Sequence, residues 1–594
     1  MNDPAASSEQ RAASSELTER AERTVLYAVR SATALNRLLD ALPVFAGDPR
    51  VRPVFTLVPG SDFSTDALTA LDGAGARTVP WAEAVRGGHD LVVAASPNGP
   101  LHELPGPLVL LPHGAGFNKR LPHSSTDDSA SGLHPRQLLR GGAPLASLHA
   151  LAHPAQLARL AEESADMAER AAVVGDPTLD RMLASRTRRE RYRDALGTGG
   201  RRLVVMVSTW GPESLFERRP ELPRRLTAEL PYDAYQVALV LHPNLHSRLG
   251  EFTLRQWLAP ASAAGLLLAR PYEEWAALLT AADCALTDHG SAALYPAALD
   301  LPLIGCYDGG TELLPDSPMA GLLARVPRLA TDRPLAPQFD TAVATHRTGD
   351  TSALAAAAFA EQGRSLELLR ARCYRLLGLE PHPGPVGARP LPVPRIDQER
   401  PYAFAARVEV RGSSVSVARH PLNSGPHGGH VAAEDGLAAT EEMRSAGLIH
   451  RWARTAATAR EPYGSDAGRS DAGRSDARRA HAAWSDAVWT VAGWTSYVLE
   501  HYPTCRTAAA VLSHRRCVLR RDGSALLAVS ITADPSQAEP LVRPDPAAVL
   551  SAVHGWLDAD PDPALPAALD CVVGSRPARV LVTYATEADA HAEL

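Results

Sequence analysis

Lysine is almost absent from this chain. Of its 60 Lys and Arg residues, only Lys119 is lysine. A bias toward GC-rich codons accounts for arginine elsewhere, so the ammonium retained at position 119 asks for an explanation. Aromatics make up only 5% of the 594 residues, so the core has to be built from aliphatic side chains. No run of about 18 uninterrupted apolar residues occurs, which argues against a transmembrane helix. The opening MNDPAASSEQRAASSELTER has no apolar signal core. Residues 1–22 read as a disordered tail and the chain as cytoplasmic. GxxxxGK(S/T) is missing, and with it the phosphate loop of P-loop NTPases. HExxH and paired CxxC motifs are missing too, so neither a metal site nor a cofactor is indicated. The six cysteines (284, 306, 373, 505, 517 and 571) form no CxxC pair and read as buried free thiols. The net charge of −7 is spread along the chain, which argues against nucleic-acid binding through a basic surface.

What is present is an alternation of strand and helix. TVLYAVR (24–30), VRPVFTLV (51–58), DLVVAAS (90–96) and PLVLLPHG (107–114) are short apolar runs separated by helical stretches. Continuous rather than alternating apolar runs fit parallel strands covered on both faces. A second series begins at AAVVG (171–175) and continues through RRLVVMV, YQVALVL, GLLLA, DCALT and LPLIGC. A long helix at about 352–377 closes it. The chain therefore reads as an α/β half over 23–165 and a second over 166–379. Residues 380–396 read as a Pro-rich linker, and 397–594 as a separate α+β domain. In that last domain FAARVEVRG and SVSVARHP predict a hairpin, and helices are expected around 438–459 and 480–501. The repeat GSDAGRSDAGRSDARR lies in an insert expected to be disordered over 462–480.

In open parallel sheets ligands bind beyond the carboxyl ends of the strands. The residues following the strands here are His113, Gly114, Gly116, Asn118 and Lys119 in the first half. In the second they are Thr209 and Trp210, then His242, then Asp288, His289, Gly290 and Ser291. A strand, a Gly turn and a helix starting at Ser291 would aim backbone N–H groups at a diphosphate. Equally, Asp288 and Ser291 can be plain helix caps. His242 reads singly as a loop histidine, and by position as a phosphate contact. Gly114 and Gly116 beside His113 allow a ligand close approach. Lys119 suits phosphate or carboxylate charge, or is a chance survivor. Trp210 can stack on a base or plug the cleft, and Glu213 can pair with a histidine or hold a hydroxyl.

These residues carry a resemblance. PHG, STWGP, LVLHPN and LLTAADCALTDHGSAALYPAALDLPLIG together resemble the CDP-glycerol glycerophosphotransferase group and the wider GT-B nucleotide-sugar enzymes, over about 24–376. The resemblance implies two Rossmann-like domains. It makes His113 the catalytic base. It makes His242 a phosphate contact and Asp288, Gly290 and Ser291 the diphosphate turn; by their place at the strand ends, His289, Thr209 and Trp210 are expected to join that donor site and Gly114, Gly116, Asn118 and Lys119 to line the substrate. The implied partners are a CDP- or UDP-linked donor and a hydroxyl acceptor, at the inner membrane face in a peripheral case. The family has a Tyr-like residue and a second Ser where this chain has His289 and Gly290. PHGAGFNK and DHGS are also similar to actinomycete chains labelled translation initiation factor 2, a label that requires the GTPase loop missing here. An epimerase of the UDP-N-acetylglucosamine 2-epimerase type shares the two-domain fold but would need paired carboxylates and a basic cluster around the sugar, which the sequence does not assemble. A non-catalytic nucleotide sensor would use residues 397–594 to bind a protein partner.

Overall fold

The computed structural model describes residues 22–60, 71–72, 75–120, 130–271, 274–307, 309–396, 398–422, 428–453, 489–533 and 544–594. The expected N-terminal tail (but for Glu22) and the 462–480 insert lie outside the described residues.

The apolar runs form strands as expected. β1 (Arg23–Val29), β2 (Val51–Leu57), β3 (Leu91–Ala94) and β4 (Leu108–Leu110) come first. β5 (Leu139–Arg140) and β6 (Ala143–Pro144) pair only with each other. β7 (Leu148–Leu151) and β8 (Ala171–Val173) complete a six-stranded sheet in the order β2-β1-β3-β4-β7-β8, parallel throughout. β9 (Arg202–Ser208), β10 (Tyr235–Leu241), β11 (Leu267–Leu268), β12 (Cys284–Thr287) and β13 (Leu303–Gly305) form a second parallel sheet, ordered β11-β10-β9-β12-β13. All seven residues of β10 are buried, as helices on both faces require. Burial of each such Val or Leu contributes about 1.5–3 kcal/mol.

Two segments differ from the sequence reading. AAVVG, read as opening the second half, is β8 and pairs with β7 of the first sheet. The expected helix at 352–377 is two helices, Asp350–Ala355 and Ser365–Leu377. Glu361 at φ 50° and Gly363 at φ 81° break it. Leu366, Leu369, Cys373, Tyr374 and Leu377 of the second helix pack into the core of the first sheet, and the Tyr374 hydroxyl donates to Asp48 at 2.7 Å. The chain thus crosses back to its first half before leaving both. Residues 380–396 have no regular structure but are not free. The Leu391 N–H donates to Ser185 and its carbonyl accepts from Tyr192, both at 2.9 Å.

The last domain is a closed barrel: β14 (Ala403–Arg411), β15 (Ser414–Pro421), β16 (His430–Glu434), β17 (Leu448–Trp452), β18 (Thr507–Ser513), β19 (Arg516–Arg521), β20 (Leu527–Ala533), β21 (Ala567–Val573) and β22 (Arg576–Tyr584). The expected β14–β15 hairpin is present. Where a helix was expected over 438–459, only Thr440–Ser445 is helical among the described residues, which end at 453 there, and LIHRW is β17. The helix Pro546–Ala559 is buried nearly all round and touches β14, β15 and β21 on one arc and β17, β18 and β19 on the other, so it fills the barrel.

Arg419 docks the barrel. It is 1% exposed, binds Asp233 through two nitrogens at 2.8 and 2.6 Å, and reaches Asp545 at 2.7 Å. Asp233 lies two residues before the start of β10, so the barrel sits at the amino-terminal edge of the second sheet, away from the carboxyl ends. All six cysteines are buried and free. No helix of the described residues is long and apolar enough to cross a membrane.

Candidate functional site

Strand order reverses between β9 and β12, where a parallel sheet opens a crevice beyond its carboxyl ends. Thr209 and Trp210 leave β9 there, and Asp288, His289, Gly290 and Ser291 leave β12. His242, at the end of β10, caps the helix Pro243–Leu249 by accepting from the Asn244 N–H at 3.1 Å. The Trp210 and His242 rings lie 6.0 Å apart. The loops from β9, β10 and β12 therefore meet as the sequence suggested.

Asp288 does not face the crevice. It is fully buried. One carboxylate oxygen accepts from the Thr209 and Leu215 N–H groups, both at 2.9 Å, and the other from the Gly290 N–H at 2.9 Å. It ties the β9 loop to the β12 turn, closer to the cap reading than to a ligand contact. Gly290 is needed because a Cβ there would lie 2.9 Å from the Thr209 Cβ. The expected helix at Ser291 begins as a 3-10 turn, Ser291–Ala293, and continues as Leu294–Ala298. Ser291 itself is half-buried at the crevice.

The first half supplies the opposite wall. His113 follows β4, and its Nδ1 lies 2.9 Å from the Ala95 carbonyl at the end of β3. A carbonyl can only accept, so Nδ1 carries the proton and Nε2 is left with its lone pair. The ring is open to the crevice but walled by protein. Desolvation lowers its pKa, the Ala95 carbonyl works against that, and the Arg37 charge lowers it further. Burial likewise pushes His242 down to about 3, with the charges of His113 and Lys119 adding to it. Gly114 meets Ser291 directly: a Cβ at 114 would come 2.8 Å from the Ser291 Oγ. PHG and DHGS, 177 positions apart from Gly114 to Ser291, are thus brought face to face.

Residues beyond His113–Gly114 bind the second half rather than open space. The Asn118 amide donates to the Ala115 carbonyl at 2.7 Å and accepts from the Met319 N–H at 3.2 Å. Gly116, at φ 70°, packs against Asn118 and Pro318. The Asn118 carbonyl accepts from the Leu314 N–H, and the Glu312 carbonyl from the Arg120 N–H, so the two halves share a short β-bridge. Lys119 Nζ bonds Glu312 Oε2 at 3.0 Å, and His289 Nε2 lies 3.1 Å from the same oxygen. His289 is fully buried, and its Nδ1 has no hydrogen-bond partner. The hydrogen bond from His289 holds Glu312 down at about 2, with the Lys119 charge acting in the same direction.

Four contributors escaped the sequence reading. Glu312 is one. Tyr307 and Arg218 both donate to Glu213, which lowers the Glu213 pKa. Arg37 lies over the Tyr295 ring at 5.1 Å and 3.9 Å from Asp176. YDGGTE after β13 is the signal that leads to Tyr307 and Glu312. Arg37 carried none, being one helical arginine among many. Among the described residues no group of three His, Cys, Asp or Glu side chains is placed to hold a metal ion.

No family model matches the chain, and no curated protein matches it. Solved structures do. A variant of the wall teichoic acid polymerase TagF soaked with CDPG is 14% identical, covers 61% of this chain and 90% of its own, and has a TM-score of 0.42. Alr3699/HepE of Anabaena, in complex with UDP and glucose, is 16% identical over 60% of this chain and 100% of its own, at a TM-score of 0.35. MnaA of S. aureus with UDP is 13% identical over 62% and 100%, at 0.38. The chain is similar to these structures at low identity.

Proposed function

We propose that this chain is a metal-independent transferase of GT-B layout. It would move a glycosyl or glycerophosphoryl group from a CDP- or UDP-activated donor to a hydroxyl acceptor. The observation that carries the reading is the meeting of His113–Gly114 with Gly290–Ser291 across the crevice between two parallel sheets. The donor diphosphate lies on the Gly290–Ser291 turn, near Thr209, His242 and Lys119. Trp210 covers the base. Asp288 positions both loops from behind, and Asn118 and Gly116 align the first-half wall.

His113 Nε2 takes the proton of the acceptor hydroxyl. That oxygen forms a bond to the donor carbon or phosphorus. The bond from that centre to the nucleotide breaks, and its electron pair leaves on the phosphate oxygen. Backbone N–H groups at Ser291 and the cations of the crevice stabilise the charge that develops there. The Ala95 carbonyl holds the proton on Nδ1, so the Nε2 lone pair is the one turned to the acceptor, and desolvation favours the same neutral form. The reaction belongs to the cytoplasmic side, where nucleotide-activated donors are available, and the barrel is left free to bind a protein partner.

His113→Ala tests the assignment. Transfer from a CDP- or UDP-linked donor should fall by about 10²–10⁴-fold, while nucleotide affinity changes little. Unchanged turnover would remove His113 from the reaction. One observation favours a second reading: Glu213 and Glu312 lie near enough to repel one another, with Arg218, Lys119 and His289 around them. Such a cluster of carboxylates and cations suits an epimerase of a nucleotide sugar. Product analysis separates the two, since an epimerase converts the sugar nucleotide with no acceptor present.

A further inference from the structure

Gly114 and Ser291 close on one another: a Cβ at 114 would come 2.8 Å from the Ser291 Oγ, so a diphosphate at this point needs the serine side chain or the wall behind it to move. The seam beside them is held by the Lys119–Glu312 pair and by the backbone bonds of residues 118–120 with 312–314. The Lys119 and Glu312 side chains are 29% and 31% exposed, so an incoming anion can reach the ammonium. Glu312 also has a partner to keep when Lys119 leaves: the His289 ring, on its own half of the molecule. Its loop turns on glycines, the first packed close to that ring. Gly309 and Gly310 are consecutive left-handed residues at φ 77° and 52°, and a Cβ at 309 would strike the His289 ring at 2.2 Å.

We propose that Glu312 is a built-in stand-in for the donor's phosphate. Its carboxylate holds Lys119 while the crevice is empty, and a nucleoside diphosphate displaces it, parting the two halves as it enters. This rests on the donor site proposed above and adds its regulation. It also explains why position 119 holds a lysine. A compact ammonium on a flexible stem can pass from one anion to the next, whereas a guanidinium fork would hold the carboxylate through two parallel bonds. After the exchange Glu312 stays bound to His289, so no carboxylate is left buried and unpartnered. The exchange is selective for anions: a nucleoside lacking phosphate makes no claim on Lys119 and leaves the seam closed.

The test is calorimetric titration of the full chain with CDP, UDP and GDP, comparing wild type with Glu312→Gln. Glutamine keeps an acceptor for His289 and Lys119 but removes the competing charge. About three- to tenfold tighter nucleotide binding is expected, with no gain when Lys119→Met is also present. Equal or weaker binding by a folded Glu312→Gln protein overturns the proposal. If that variant does not fold, Lys119→Met decides by small-angle scattering: its radius of gyration without nucleotide should match that of nucleotide-bound wild type. A radius equal to that of empty wild type overturns the proposal as well. Failure of wild type to bind any of the three nucleotides sinks the donor site itself. Binding by wild type with no effect of Glu312→Gln sinks only the exchange.

Discussion

Replacing Asp288 by asparagine separates a residue that builds the site from one that binds in it. One Asp288 oxygen serves two backbone N–H groups, those of Thr209 and Leu215, and the other serves the N–H of Gly290. Asparagine offers a carbonyl to one side only, and its amide group then faces a donor on the other. The substitution loses the charge assistance of the remaining bonds and leaves at least one buried N–H unpaired. That costs about 2–4 kcal/mol. At about 2–4 °C per kcal/mol for a unit of this size, the second half should melt roughly 5–15 °C lower. Nucleotide affinity should fall with it, because the β9 loop and the β12 turn lose their common anchor. Differential scanning calorimetry beside titration with nucleotide reads both. A variant that melts within about 2 °C of wild type yet no longer binds nucleotide would mean that the carboxylate touches the ligand, and the positioning role would be wrong.

Two further outcomes follow from buried charge. Arg419→Met leaves Asp233 and Asp545 without their guanidinium at the barrel interface; a loss of about 3–5 kcal/mol is expected, seen as earlier melting and proteolytic release of the barrel, and an unchanged melting profile would show that Arg419 does not hold it. Burial pushes His149 and His554 down to about 4, and they are 7% and 1% exposed. Both values lie below the unfolded value of about 6.5. As pH falls from there toward 4, the unfolded chain takes up protons that the native chain does not, so stability is lost, at up to roughly 1.4 kcal/mol per pH unit for each. His149→Gln should flatten that slope in denaturant titrations at pH 7, 6 and 5; an unaltered slope would place the acid sensitivity elsewhere.

Much of the α/β region could be read from the sequence because parallel strands covered on both faces are continuous apolar runs. The rule that ligands meet strand ends then collected His113, Thr209, His242 and Ser291 without any knowledge of the fold. The rest depended on contacts distant in the chain. AAVVG has the same composition whichever sheet it joins, and only its pairing with β7 decides. Asp288 reads as a ligand or as a cap until its three N–H partners are in view. The isolated lysine drew attention to position 119, but its partner Glu312 lies 193 residues away. In the barrel, LIHRW follows a short acidic helix with only Ala446 and Gly447 between them, and it continues that helix's apolar spacing closely enough to hide a strand.

The most direct measurement is calorimetric titration of the purified chain with CDP, UDP, GDP and their monophosphates, repeated with Ser291→Ala. Ser291 is half-buried, and the residue at the N-cap of its turn is Gly290, so the variant should fold as wild type does. Binding of one base by wild type, with a clear loss in the variant, is expected if the diphosphate lies on the Gly290–Ser291 turn. No binding of any nucleotide at millimolar concentration would contradict the donor site and turn attention to the barrel.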